Sequence, residues 1–283
     1  MKFPQYHDEV LRALQALGNP SLGRHIAKDR GSSLRYVGIR VPALRRRVKQ
    51  GFSFYDLDHD SVLAIWDDLW MESEWGDVLF AAEEYYRPIV RKRVDGASMG
   101  LLGVAGPEAE PVPSGGEAPD PAMGRYWPVM KRWIDRVDNW CHADALSATY
   151  SRLLEADAGT VMPVLDRWNR DEALWPRRVS IVSLIHYTGK NAVFLPPDVV
   201  LPMVDRCVED RRQPMQKAVG WVLREMWRAY PEEIEDYLQA NAPRIAPSAY
   251  TRAIERMDAG ARKKMRASVP STLKRRVSVA ASV

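Results

Sequence analysis

The sequence predicts an all-α protein, and three observations lead to that prediction. Apolar residues recur at the spacing of an amphipathic helix along almost the whole chain of 283 residues. The alternating Val, Ile and Thr patterns that are typical of strands are nearly absent. The connections between apolar segments are short and contain residues that end or begin helices, as at Asn19-Pro20, Tyr230-Pro231 and Ala246-Pro247.

The apolar pattern predicts fourteen helices joined by short turns. A long series of antiparallel helices with short connections is typical of an α-solenoid of HEAT-like helix pairs. Because no repeat period is apparent in the sequence, a compact bundle without repeats is the alternative. The predicted helices cover residues 5–17, 20–29, 41–50, 60–71, 74–93, 122–136, 139–155, 158–169, 174–187, 197–209, 213–229, 231–240, 246–257 and 259–268.

Residues 95–121 differ in composition from the rest of the chain. They are rich in Gly, Pro, Ala and Glu, which predicts a flexible loop that buries too little apolar surface to become ordered. Segments of the same helical style lie on both sides, so we expect this loop to be an insertion within a single domain of residues 1–270. Residues 271–283 include Lys274, Arg275 and Arg276 and are expected to form a flexible basic tail, either a loose arm or a frayed end.

The charge is unevenly distributed along the chain. The net charge is +4, but residues 95–121 contain five acidic residues and no Lys or Arg, so the rest of the chain carries +9. Such a balance attracts polyanions, although a basic enzyme with a small substrate has the same balance. Because no apolar run approaches the roughly 20 residues of a membrane span and the first residues have no signal-peptide core, we expect no membrane contact and a cytoplasmic location, associated with the nucleoid if the source is bacterial.

The two cysteines, Cys141 and Cys207, do not form a metal-binding motif. Their separation fits a reducing compartment, and the adjacent pair Cys141-His142 lacks the spacing of zinc ligands. We therefore expect neither a metal nor another cofactor.

A helical wheel of residues 213–229 places a tryptophan away from the core. Met215, Val219, Val222, Leu223 and Met226 form the apolar stripe, whereas Lys217, Trp221, Arg224 and Arg228 fall on the opposite side. An aromatic plane among cations suits contact with a nucleotide while the cations hold phosphates. The alternative is that Trp221 packs against the next helix pair.

The helix at 139–155 places a carboxylate beside a second tryptophan. Asn139 is an expected N-cap, Leu146, Thr149, Tyr150, Leu153 and Leu154 form the core stripe, and Trp140, Asp144, Ser147 and Ser151 line a different face. Trp140 and Asp144 are four residues apart, so their side chains are neighbours that could stabilise a forming cation. The alternative is that Asp144 satisfies a backbone group or pairs with an arginine.

Four short strings together resemble the AlkD-type family of DNA alkylation repair proteins. The most specific is residues 216–225, QKAVGWVLRE. Trp140-Cys-His-Ala-Asp144 looks like the family's Trp-x-x-x-Asp, and Trp175-Pro-Arg-Arg178 resembles its Trp-x-x-Arg helix start. Residues 36–45 resemble its Gly-x-x-x-Pro entry to a helix, and the resemblance extends over about residues 30–245.

The resemblance implies a HEAT-like solenoid whose basic concave face binds double-stranded DNA carrying alkylated purines. It implies hydrolysis of the N-glycosidic bond of N3- and N7-alkylated purines, without a metal. Carried over by residue, Asp144 would be the catalytic carboxylate, Trp140 and Trp221 would contact the deoxyribose and backbone, and Arg178 would contact a phosphate. The expected DNA-binding set also includes Lys217, Arg224, Arg228 and Arg45.

The implied chemistry needs few protein groups. An N3- or N7-alkylated purine carries a positive charge and leaves as a neutral base, so the barrier is formation of an oxocarbenium-like sugar. A carboxylate beside that sugar stabilises the developing charge and can orient a water molecule. The sequence departs from the family pattern in the 95–121 insertion and in Cys141-His142-Ala143 between the tryptophan and the aspartate.

Two other functions are compatible with the sequence. A non-catalytic HEAT-repeat protein that binds distorted or branched DNA would share the basic groove but would not need Asp144. A protein-binding scaffold would bind DNA weakly and with little dependence on salt. We expect a monomer in either case.

Overall fold

The computed structural model describes residues 1–96, 121–185 and 195–268, which form two compact units. The first unit contains residues 1–96 and 121–157, and the second contains residues 158–185 and 195–268. The regular structure of these residues is helical, apart from isolated bridge residues, among them the pair Arg35 and Trp75. The all-α prediction is confirmed.

The helices of the first unit begin at residues with a clear capping role. Proline occupies the first turn of each of the first three helices, where its missing N–H costs nothing. Asn19 and Asp58 accept hydrogen bonds from backbone N–H groups at the starts of the second and fourth helices. The helices are α1 (Pro4–Gln15), α2 (Pro20–Arg30), α3 (Val41–Gln50), α4 (His59–Glu72), α5 (Gly76–Gly96), α6 (Pro121–Met130) and α7 (Trp140–Ala156), with 3₁₀ segments at Ser53–Asp56 and Lys131–Arg136.

Helices α3, α5 and α7 pack side by side in the first unit. The carbonyl of Gly76 in α5 contacts His142 in α7. Two helical turns further along both helices, Glu83 contacts Thr149. Because both partners advance in the same direction, α5 and α7 run parallel. The core beneath them is aromatic, and the rings of the fully buried Trp70 and Trp133 stack at a centroid distance of 4.6 Å.

The second unit repeats this arrangement. Helices α9, α11 and α13 pack side by side, with the intervening helices joining them. A Cβ added to Gly220 in α11 would lie 2.5 Å from the carbonyl oxygen of Ala249, so glycine allows α11 and α13 to approach closely. The helices are α8 (Ala158–Asn169), α9 (Leu174–Val182), α10 (Pro197–Asp205), α11 (Gln213–Met226), α12 (Pro231–Asn241), α13 (Pro247–Ala253) and α14 (Ala259–Ser268).

Within each unit, alternate helices therefore pack on one another: α3, α5 and α7 in the first unit, and α9, α11 and α13 in the second. This is the arrangement of an α-solenoid built from helix pairs. The predicted helices correspond to α1 through α14, except that the segment predicted at 122–136 changes from α6 to a 3₁₀ segment at Lys131. The 3₁₀ segment Ser53–Asp56 was not predicted. No helix in the described part of the chain is long and apolar enough to cross a membrane.

Three predictions concern residues outside the described ranges. Most of the predicted 95–121 insertion lies there, and its ends belong to α5 and α6. The predicted tail, 271–283, and residues 186–187 of the helix predicted at 174–187 also lie there. That helix was predicted too long, because α9 ends at Val182 and residues 183–185 are not helical. The assignment of residues 1–270 to a single domain stays a prediction.

Candidate functional site

The predicted site residues are distributed over both units. The first unit contains Trp140 and Asp144 in α7 and Arg45 in α3. In the second unit, the predicted residues lie on α9, on α11 or directly after α11: Arg178, Lys217, Trp221, Arg224 and Arg228.

The start of α7 is fixed by a buried asparagine. The side-chain oxygen of Asn139 accepts hydrogen bonds from the backbone N–H groups of Cys141, at 3.0 Å, and His142, at 3.2 Å. Its amide nitrogen donates to His142 Nδ1 at 2.9 Å and to Asp138 at 2.8 Å. Asn139 is therefore the predicted N-cap, and it also joins the helix start to two neighbouring side chains.

His142 completes this network as a neutral side chain. Its Nε2 lies 3.0 Å from the carbonyl oxygen of Gly76, which can only accept, so Nε2 carries the proton and Nδ1 accepts from Asn139. Burial lowers the pKa of His142 to about 4, with the charge of Arg30 acting in the same direction. His142, which lies between Trp140 and Asp144, thus stabilises the start of α7.

Asp138 ties the start of α7 to the loop after α2. Its carboxylate accepts from both hydroxyls of Ser32 and Ser33 and from the backbone N–H of Ser33 at 2.6 Å. Partial burial opposes ionisation, but the hydrogen bonds from Asn139, Ser32 and Ser33 outweigh it and lower the pKa of Asp138. The start of α7 is therefore bonded to α5 through His142 and to the loop after α2 through Asp138.

Trp140 and Asp144 lie on the part of α7 that is open to solvent. Trp140 is 43% exposed and Asp144 is partly exposed, one helical turn further on. Ala148, another turn on, is also partly exposed, so a small residue continues the same narrow stripe. Burial raises the pKa of the neighbouring Cys141 thiol to about 11, so this thiol is uncharged at neutral pH.

The placement of Ser147 and Ser151 on this face was wrong. Both are buried, and their hydroxyls donate to the helix carbonyls of Ala143 and Ala148. Helix α7 is covered on most sides by its neighbours, so its solvent-facing stripe is narrower than the wheel predicts. A hydroxyl that bonds to its own helix can be buried at little cost, which hides such a position from a polarity pattern.

Arg45 belongs to a cluster that we term the Glu84 clamp, made of Arg45, Glu84 and Arg87. Arg45 donates two hydrogen bonds to the buried Glu84, from Nε at 2.7 Å and Nη2 at 2.9 Å. Arg87, one turn after Glu84, donates to the same carboxylate at 2.6 Å. The Arg45 side chain remains 49% exposed and that of Arg87 31% exposed.

Glu83, next to this clamp, is fully buried. Thr149 donates to its Oε1 at 3.2 Å, and Oε2 has no hydrogen-bond partner among the described residues. Burial raises the pKa of Glu83 to about 8, although the charge of Arg87 acts against this shift. Glu83 is therefore mostly uncharged at neutral pH, and the arginines of the clamp face one carboxylate charge rather than two.

Helix α11 has the predicted core stripe. The five apolar side chains of that stripe are all buried, Lys217 is exposed, and Trp221 is partly buried. Gly220, next to Trp221, allows the close packing of α11 on α13, which explains the glycine in the predicted motif. Arg228, just after the helix, has a side chain that is 54% exposed.

The wheel placed Arg224 on the solvent-facing side of α11, and this placement was wrong. Arg224 is buried, and it donates to Glu225 at 2.7 Å and 3.0 Å and to Glu255. Glu225 also contacts Arg228 and Arg256, at 3.6 Å and 3.2 Å. We term this second cluster, formed by Arg224, Glu225, Arg228 and Arg256, the Glu225 clamp.

Arg178 is buried in α9, and its guanidinium donates to the backbone carbonyl of Pro214 in the first turn of α11. The resemblance implied a phosphate contact for Arg178, and in the structure its guanidinium makes this internal contact. The neighbouring Arg177 likewise donates to the carbonyl of Arg206. These arginines join α9 to the segments that follow it.

Four charged residues of the clamps were not among the predicted site residues: Glu84, Arg87, Glu225 and Arg256. A signal was available for two pairs, because Glu84–Arg87 and Glu225–Arg228 are three residues apart on a helix. Arg256 comes from a distant segment and had no local signal. Among the described residues, no group of His, Cys, Asp and Glu could hold a metal ion.

Comparisons with known proteins agree with this description. A family model for DNA alkylation repair enzyme matches residues 10–257. A solved structure titled as a predicted DNA alkylation repair enzyme from Enterococcus faecalis is similar with a TM-score of 0.62 and 14% sequence identity, covering 86% of this chain and 97% of that chain; at this identity the likeness supports the fold alone. No curated protein matches the chain. Since the family model spans most of the 283 residues, the chain belongs to the DNA alkylation repair enzyme family.

Proposed function

We propose that the chain is a DNA glycosylase that hydrolyses the N-glycosidic bond of N3- or N7-alkylated purines in duplex DNA. The observation that carries the proposal is the stripe on α7, where the exposed indole of Trp140 is followed one turn later by Asp144. Membership of a DNA alkylation repair family supports DNA as the substrate.

In the proposed reaction, Asp144 supplies the negative charge that stabilises an oxocarbenium-like deoxyribose. The base departs without protonation because its alkylation already gives it a positive charge. Trp140 contacts the sugar beside Asp144, and an indole face attracts a cation by about 0.5–2 kcal/mol. Trp221, in the second unit, keeps its expected contact with the DNA backbone as a separate contact. Water attacks the sugar cation, and Asp144 orients that water.

The proposed phosphate contacts differ in their roles. Lys217, Arg228 and Arg45 have exposed or half-exposed side chains that can reach phosphates directly. Arg178 and Arg224 are buried and bonded within the protein, so we assign them to positioning α11 and its clamp. This assignment changes the roles expected from the resemblance for these two residues.

The test is excision of 7-methylguanine from a duplex by the wild type and by Asp144→Asn. We expect release of free base above the spontaneous rate by the wild type, and a loss of about 100-fold or more in the variant, the size expected for a group that stabilises transition-state charge. Asp135→Asn is the matched control, since Asp135 is an exposed carboxylate of the same unit.

A folded wild type that binds duplex DNA but releases no base would contradict the proposal and favour the non-catalytic DNA-binding alternative. Equal excision by Asp144→Asn and the wild type would leave the enzyme but remove Asp144 from its mechanism.

A further inference from the structure

The two units contain the same arrangement of charges on neighbouring segments. In each clamp, a buried glutamate binds an arginine three residues later in the chain: Arg87 after Glu84, and Arg228 after Glu225. The same glutamate also binds an arginine from the neighbouring segment of the stack, Arg45 or Arg256.

These arginines remain accessible although they are bonded. The side chains of Arg228 and Arg256 are each 54% exposed, while that of Glu225 is almost fully buried. A guanidinium has five N–H donors, so a carboxylate can hold one edge while another edge contacts a phosphate. An arginine held in this way loses less side-chain entropy when it binds a ligand.

Each clamp carries an excess of positive charge. In the Glu84 clamp, two arginines face one charged carboxylate, because burial raises the pKa of the adjacent Glu83 to about 8. In the Glu225 clamp, three arginines face Glu225 and the neighbouring Glu255. The net charge is +1 in both cases.

A different ion-paired arginine, Arg244, belongs to a group with an excess of negative charge. Arg244 binds two carboxylates, Asp205 at 2.7 Å and Glu209 at 2.8 Å, both of which are substantially exposed. That group carries a net charge of −1 and would repel a phosphate. An exposed arginine in an ion pair is therefore not by itself a phosphate site, and the excess of positive charge around a buried glutamate distinguishes the clamps.

We propose that the Glu84 and Glu225 clamps are binding sites for phosphodiester groups of duplex DNA. Arg87 and Arg256 are then DNA-contacting residues that no motif predicted, and Glu84 and Glu225 are positioning residues. The inference rests on the proposed function only in taking DNA as the ligand, and it does not depend on base excision.

The first test compares Arg87→Gln and Arg256→Gln with matched controls that remove the same charge elsewhere. Arg132→Gln is the control in the first unit, where Arg132 is a half-exposed partner of Asp67, and Arg244→Gln is the control in the second. Binding to an undamaged duplex is measured by fluorescence anisotropy over a series of salt concentrations.

We expect each clamp variant to reduce the slope of log affinity against log salt concentration by about 1, the loss of one phosphate contact. The controls should keep the wild-type slope, because charges beyond about 10 Å are largely screened at these salt concentrations. Equal slopes for clamp and control variants would overturn the proposal.

The second test uses the sign of the charge change. Glu225→Gln makes the protein more positive, so a purely long-range attraction predicts tighter DNA binding. The clamp predicts weaker binding and a smaller salt slope, because Arg228 and Arg256 lose their fixed positions. Tighter binding by this variant, with thermal unfolding showing a folded protein, overturns the positioning role.

Arg256→Gln alone decides the question if Glu225→Gln does not fold, since Arg256 has a half-exposed side chain. All of these measurements use undamaged DNA. A chain that binds DNA through the clamps but never releases an alkylated base would refute the proposed glycosylase and retain this inference.

Discussion

The two units hold their candidate residues with different kinds of interaction. In the first unit, the start of α7 is fixed by neutral partners of Asn139, among them an uncharged His142, together with the hydrogen-bonded carboxylate of Asp138. In the second unit, the end of α11 is fixed by a buried ion-pair cluster around Glu225. One unit relies mainly on hydrogen bonds near its exposed tryptophan and the other on paired charges.

This difference fits the two tasks that we propose, catalysis at the exposed stripe of α7 and phosphate binding at the clamps. The hydrogen bonds around Asn139 orient the start of the helix that carries Trp140 and Asp144. Phosphate binding instead requires cations, and a buried carboxylate keeps them from repelling one another. The comparison predicts that the loss of the clamp glutamate costs the two units different amounts of stability, and that the first unit also depends on a capping asparagine and on a buried proton.

The largest expected effect is the loss of stability in Glu225→Ala. This change removes the buried carboxylate that binds Arg224, which then keeps its contact with the partly exposed Glu255, and we expect the free energy of unfolding to fall by about 3 kcal/mol. Glu84→Ala should cost clearly less, because Arg45 and Arg87 are half exposed and water can replace the carboxylate. Denaturant titrations of both variants measure the difference, and equal losses would remove the distinction between the two clamps.

Much of the fold could be predicted from the sequence because helical periodicity is a local signal. Proline at the start of α2 and α12 and the cap Asn139 mark boundaries within a few residues. The unpredicted 3₁₀ segment Ser53–Asp56 is held instead by tertiary contacts, such as the packing of Phe54 on Trp66 at a ring distance of 5.3 Å. Four residues are too few to carry a helical period.

The site was only partly predictable for a related reason. The spacing of Trp140 and Asp144 is local, and the structure places both on the exposed stripe of α7. Arg224 is buried and paired with Glu255, which lies 31 residues further along the chain. A wheel of α11 shows only residues of that helix and therefore cannot include this partner. A wheel identifies the side of a helix that is least apolar, but it does not show whether another helix covers that side.

The second prediction concerns the cap of α7. Asn139→Ala removes the acceptor of two backbone N–H groups and leaves His142 Nδ1 without its donor, so we expect a loss of about 2 kcal/mol in the free energy of unfolding. Asn19→Ala is the matched control, because Asn19 caps α2 with one backbone hydrogen bond in an exposed setting. It should cost about 0.5–1 kcal/mol.

The rate of base excision is a second measurement on Asn139→Ala. A displaced helix start moves Trp140 and Asp144 together, so Asn139→Ala should lower excision in conditions where the variant remains folded, whereas Asn19→Ala should not. Unchanged excision by a folded Asn139→Ala would show that the network stabilises α7 without orienting its exposed stripe.

The smallest expected effect is a pH dependence that arises from Glu83. Its pKa rises from 4.5 to about 8 on folding because the carboxyl is buried, so the folded protein retains a proton that the unfolded chain has lost. Stability must therefore fall as the pH rises through this interval. His142 acts in the opposite sense, since its pKa falls from 6.5 to about 4 and its contribution is lost only as the pH drops below 6.5.

The window between pH 6.5 and pH 8 therefore isolates Glu83 from His142. We expect the wild type to lose about 1–1.5 kcal/mol of unfolding free energy across this window, and Glu83→Gln to lose little, because a glutamine keeps the contact with Thr149 and has no proton to release. Chemical denaturation at the two pH values measures both. Parallel curves for the two proteins would mean that Glu83 is already ionised at pH 6.5, and the Glu84 clamp would then have no excess positive charge.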